Sequence, residues 1–225
     1  MSKRLASLLA WINFIVPLVA VVGAYGISIH QELQPACVPL WDGCTSISRA
    51  ARYGDALFWF RGLMMPLSML LVIYWLFQWR WLTGLAGPRR RHGAILWLGV
   101  ISALALVLYA NFLGSDGDFY RFMRRFGVTF YFAFAMLAQL ISLQSLSTLK
   151  ESLPPRLRRP LRLQLILVCI QWLWGGVSLW VDLTQPENEF QLQNIVEWNF
   201  ALAMVGFYGV SGWMWWRDRM PAFLR

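Results

Sequence analysis

Six stretches of this chain, at about 6–27, 56–77, 93–113, 126–148, 163–182 and 194–216, are mainly apolar over the length a helix needs to cross a bilayer. That length is about 20 residues, and in hydrocarbon only a helix or a closed barrel satisfies its own backbone polar groups. Composition closes off a water-soluble core. Of the 225 residues 58% are hydrophobic, 16% aromatic and only 14% charged, more apolar surface than a chain of this size can hide from water. The fold class expected is all-α: a polytopic membrane protein with six transmembrane helices in one bundle. Residues 1–225 are expected to form a single domain, since no repeat, low-complexity tract or soluble segment interrupts the pattern.

The first run follows "MSKR", as a signal peptide would, but its apolar part is too long and lacks a small-residue cleavage site. It is read as a retained helix. Orientation follows from the basic residues in the short connections. Lys3 and Arg4, then Arg80, Arg89, Arg90 and Arg91, then Lys150, Arg156, Arg158, Arg159 and Arg162, then Arg217, Arg219 and Arg225 place 14 of the 20 basic residues on one side. Both termini are therefore expected to be cytoplasmic. The net charge of +9 then needs no nucleic acid: "GPRRRHG" and "LPPRLRRP" are topology anchors first and anionic-lipid contacts second.

The connection at 28–55 is the one long loop, and it faces the other side. Long loops are functional or disordered, and its aromatic and Cys content argues against disorder. Cys37 and Cys44 fall in the more oxidising compartment with six residues between them, enough for a disulfide to close; two free thiols are the alternative.

Charges kept near that outer face are unusual. Arg61, in "DALFWFRGLMMP", lies roughly two turns inside the second run, and Glu197, in "NIVEWNFALAM", about one turn inside the sixth. A charge at membrane depth is costly, so Arg61 and Glu197 are expected to pair. The fourth run begins "DFYRFMRRFGVTF", where Arg121, Arg124 and Arg125 share one helical face and stand against the orientation bias. One reading neutralises them in a solvated rim with Asp116 and Asp118, which the helix dipole favours at that end. The other makes them a basic face for a lipid phosphate or another anionic head-group, which bidentate arginine suits.

These residues resemble a family. Cys37-Val38-Pro39, "SIS" at 46–48 and the helix opening "FWFRG" are similar to a pattern of the Frag, DRAM and Sfk family, and most similar to its Golgi members that act in fatty-acid remodelling of GPI anchors. "GSDGDF" and "IVEWNFALAMVGFYGVSGWMWW" resemble further family segments, so the resemblance spans residues 37–216. It implies a six-helix lipid-handling membrane protein whose site faces the lumenal or periplasmic leaflet. The matched polar positions are Ser46, Ser48, Arg61, Asp118 and Glu197. Where the family has a His shortly after the "GSDGDF" segment, this chain has Phe122.

Counting residues removes rival chemistries. His30 and His92, the only histidines, lie on opposite faces, so neither a three-His zinc site nor a bis-His haem is expected, and no metal or cofactor is assigned. Lys3 and Lys150 are both in cytoplasmic segments, which leaves a Schiff base within the bundle without its lysine. No G-x-S-x-G elbow or phosphate loop is present. One nucleophilic set survives: Ser46 or Ser48 as nucleophile, His30 as base and Asp118 or Asp42 as its orienter, with Glu197 a second base.

The expected function is lipid remodelling or acyl transfer on a phospho- or glycolipid at the outer leaflet, in a bacterial inner membrane or a eukaryotic endomembrane. Arg61, Arg121, Arg124 and Arg125 would hold an anionic or glycosylated head-group. The alternative is a non-catalytic lipid-binding, transport or scaffold protein.

Overall fold

A computed structural model describes residues 3–150, 153–184 and 190–217. Arg219 and Arg225 of the orientation count lie outside them. The described residues form helices and no strand: α1 (Lys3–His30), α2 (Pro39–Asp42), α3 (Ile47–Ala50), α4 (Gly54–Ala86), α5 (Arg90–Phe112), α6 (Asp118–Ser147), α7 (Pro155–Thr184) and α8 (Phe190–Arg217).

Five of these, α1, α4, α5, α6 and α7, are long and apolar enough to cross a membrane. The sixth expected span falls within α8, which is long enough at 28 residues but is not among these five. α8 packs against both α1 and α7, so its polar groups find partners inside the protein rather than facing lipid. Tyr74 donates to Ser211 at 2.8 Å, Gln164 donates to the same hydroxyl at 3.0 Å, and Gln139 donates to the Met204 carbonyl at 3.0 Å. The rings of Tyr74 and Tyr208 meet edge to face at 4.8 Å, and Trp215 lies 5.2 Å from Tyr74.

The order of packing around the bundle is α6, α5, α4, α1, α8, α7. Neighbours are in extensive contact except at the closing seam, where α6 meets α7 and α8 only sparsely. α6 is fixed instead by α5, through Gly127. A Cβ there would stand 2.6 Å from the Tyr109 backbone nitrogen and 3.0 Å from the Ala105 carbonyl oxygen, so only glycine lets the two backbones come this close.

The expected loop at 28–55 is not irregular throughout. α1 continues to His30, α2 starts on Pro39 and ends at Gly43, which is left-handed (φ 61°), and α3 is capped by the Ser46 hydroxyl accepting the Arg49 N–H at 3.1 Å. α2 lies on α8, and α3 on α1 and α8, so this segment caps one end of the bundle.

Gly127→Leu is expected to force α6 off α5 and to lower unfolding free energy by about 1–3 kcal/mol, the usual cost of overpacking, with Gly127→Ala milder. Thermal unfolding of the two variants in one detergent checks the order.

Candidate functional site

α8 holds the capped end by its side chains. Asn194 Nδ2 donates to the Gly43 carbonyl at 2.7 Å, Trp198 Nε1 to the Thr45 carbonyl at 2.9 Å, and Asn199 Nδ2 to the Leu40 carbonyl at 3.0 Å. Cys37 and Cys44 are joined in a disulfide, as expected from the compartment argument. Tyr25 secures the bridged segment from α1, its hydroxyl accepting the Cys37 N–H and donating to the Pro35 carbonyl, each at 2.9 Å.

One turn of α8 below Asn194, the Glu197 carboxylate faces the first turn of α3. It lies beside the backbone N–H groups of Ile47 and Ser48 and in the field of Arg49 and Arg52. These N–H groups have no intrahelical acceptor at a helix start, so a negative charge beside them is favourable. Arg49 itself donates to Asn194 Oδ1 at 3.2 Å. The Ser48 hydroxyl shares a hydrogen bond of 2.9 Å with the Tyr109 hydroxyl, and Glu197, Arg52 and Arg124 lie close around that phenol.

Two cavities meet at Ser48 and Val128, which line both. The first, of about 430 Å³, is cationic: Arg52, Arg121, Arg124 and Arg125 face it, with Tyr53, Asp116 and Gly117 on the remaining wall. The second, of about 390 Å³, lies at the sparse seam between α6, α7 and α8. Phe132, Met136, Gly175 and Phe200 make it mainly apolar, and Glu197 and Ser48 stand at its mouth. A guanidinium cluster of this kind suits a phosphate or sulfate ester, and the adjoining space suits hydrocarbon.

The structure thus gathers Ser48, Glu197, Arg121, Arg124 and Arg125 and leaves the other candidates elsewhere. Arg61 does not pair with Glu197. Its guanidinium donates to the carbonyls of Ala110 at 2.9 Å and Asn111 at 2.8 Å, and to that of Leu113, at the C-terminal end of α5. These carbonyls lack intrahelical partners and carry the negative end of the helix dipole, so a cation is stabilised there without a carboxylate. Arg61 is accordingly a helix cap and does not line the cationic cavity.

Ser46 is likewise a cap, with its hydroxyl committed to Arg49. His30 is exposed at the end of α1 and makes no hydrogen bond among the described residues, so the Ser–His–Asp set is not assembled. Asp42 closes α2 locally by accepting the Val38 N–H at 2.8 Å. Asp118 reaches Arg121 at 3.3 Å, but with side chains 97% and 57% exposed this is a solvated rim pair of little energetic weight.

Arg52, Tyr109 and Tyr53 were not reached from sequence. Arg52 does carry a signal in the sequence: with Arg49 and the α6 arginines it belongs to the minority of basic residues away from the main basic clusters. Tyr109 sits in an apolar run and gives no such signal.

Fold and site together define a multi-pass integral membrane protein with an arginine-walled cavity opening onto an apolar one at one end of its bundle. The chain belongs to the Frag1/DRAM/Sfk1/Cwh43P family, the model of whose N-terminal domain matches residues 5–216. No curated protein and no solved structure matches it.

Two substitutions separate the caps from the cavity. Arg61→Met, which strands the end of α5, is expected to lower stability by about 1–3 kcal/mol and leave the cationic cavity intact. Glu197→Leu removes the negative charge beside the start of α3, at a cost of about 0.3–2 kcal/mol, and is expected to speed proteolysis between residues 31 and 53, with Glu197→Gln intermediate. Thermal unfolding with limited proteolysis checks both.

Proposed function

We propose that this protein handles an anionic phospho- or glycolipid from the outer, periplasmic or lumenal leaflet. The head-group sits among Arg52, Arg121, Arg124 and Arg125, and an acyl chain lies between α6, α7 and α8. One observation carries this reading: the cationic cavity and the apolar cavity are contiguous at Ser48 and Val128, so polar and apolar space adjoin as they do in a lipid. In this reading α8 is the sixth span, and both termini are cytoplasmic. The side of the bundle opposite the cap then carries the basic anchors at Arg89, Arg90 and Arg91 and at Arg156, Arg158 and Arg159.

The finer role is lipid remodelling, with acyl transfer at the junction where Ser48 and Glu197 stand. The likeness of the outer segments to GPI-remodelling members of the family supports it. A non-catalytic role in lipid binding, transport or scaffolding is favoured by one contact. The Ser48 hydroxyl is bonded to a phenol, and no His lines either cavity, so no imidazole is in place to take its proton.

Native mass spectrometry of the purified protein with phosphatidylglycerol and phosphatidylcholine tests the head-group assignment. Wild type should prefer phosphatidylglycerol, and Arg52→Ala with Arg124→Ala should reduce that preference by about tenfold or more, as expected for lost charge-assisted hydrogen bonds. Equal binding of the two lipids by wild type removes the assignment. Release of fatty acid from the bound lipid, lost in Ser48→Ala, would select acyl transfer; an unchanged lipid after prolonged incubation would select the non-catalytic role.

A further inference from the structure

A second apolar cavity lies on the other side of α8. It holds about 130 Å³ and is walled by Pro17, Val21 and Val22 of α1, Ile47 of α3, and Ala201 and Val205 of α8. No charged side chain lines it, and the one indole nitrogen on its wall, that of Trp198, is engaged by the Thr45 carbonyl. The space therefore suits a hydrocarbon chain but has nothing to receive a head-group. α2 and α3 roof it through Leu40 and Ile47, and the Asn199 bond to the Leu40 carbonyl fixes that roof.

A narrow void of about 40 Å³ lies between this cavity and the site. Val21, Ile47 and Ala201 line both the void and the α1–α8 cavity; Val128, Phe132 and Glu197 line both the void and the α6–α8 cavity. Tyr109 also borders the void, directly beneath the Ser48 contact. Apolar space thus leaves the region of Ser48 and Glu197 by two arms, one on each side of the capped end of α8.

Resting on the head-group reading above, we infer that the ligand is a two-chain anionic lipid that straddles α8. One chain occupies the α6–α8 cavity, and the other passes beneath Glu197 into the α1–α8 cavity. A single-chain lipid fills one arm and leaves the lining of the other without contacts, which forfeits dispersion energy along its length. Two chains fill both from one head-group. Ala201 of α8 and Val21 of α1 line both the void and the α1–α8 cavity, so bulk added at either narrows the way the second chain takes.

The test compares dipalmitoyl-phosphatidylglycerol with palmitoyl-lyso-phosphatidylglycerol on the full-length protein in detergent micelles, by native mass spectrometry. Ala201→Phe fills the void from α8, and Val21→Phe fills it from α1 should the first variant fail to fold. Wild type should prefer the two-chain lipid by about tenfold or more, since only that lipid makes packing contacts in both cavities. Either variant should abolish that preference while binding the lyso lipid within about twofold of wild type. A two-chain preference that survives both substitutions, or is absent from wild type, overturns the inference. Phosphatidylcholine and its lyso form, run alongside, keep the two claims apart. A preference for the glycerol head-group without an effect of chain number defeats only this inference, whereas loss of that head-group preference defeats the reading beneath it.

Discussion

Helix ends inside an apolar bundle release backbone groups that only the protein can satisfy, and this constraint organises the capped end of the molecule. Two charged side chains answer it with opposite signs. Arg61 of α4 closes the carbonyl end of α5, and the Glu197 carboxylate of α8 stands beside the amide end of α3. Each faces backbone, so neither needs the other as a counter-ion. The α5 end and the α3 start are thereby fixed, and with them Tyr109 and Ser48, whose hydroxyls meet at 2.9 Å at the junction of the two cavities.

The six basic residues outside the anchoring side, Arg49, Arg52, Arg61, Arg121, Arg124 and Arg125, divide by this logic. Arg61 is bound to carbonyls and Arg49 to Asn194, so both are occupied by structure. The other four face one cavity, with Asp116 the carboxylate on its wall. That excess of positive charge leaves the cavity best matched to an anion, while the sparse seam of α6 with α7 and α8 supplies the adjoining apolar space.

Much of the fold was legible because hydropathy alone marks a span. The helices run further than the apolar stretches: α4 reaches Ala86 rather than 77, because "FQWRWLTGLA" continues the helix past the hydrocarbon-like segment, and α6 starts at Asp118, so its arginines are helical. α8 was legible by length, and the polar Asn194 and Ser211 that interrupt its apolar run are buried. The disulfide was legible from the close spacing of Cys37 and Cys44. The pairing of Arg61 with Glu197 failed for a geometric reason. Sequence gives the depth of a residue along its helix, but not which neighbour the helix turns that residue towards, and α4 and α8 each face other partners there. The basic face of α6 could be inferred from spacing; its completion by Arg52 required the fold of residues 31–53.

The central claim is that the arginine cavity receives the phosphate of a lipid whose chain enters between α6 and α8. A cryo-electron microscopy structure of the protein in phosphatidylglycerol nanodiscs tests it most directly. The account predicts a phosphorus within hydrogen-bonding reach of Arg52 and Arg124, with tail density continuing past Ser48 along Phe132. A cavity holding only water, with lipid confined to the outer circumference of the bundle, would contradict it.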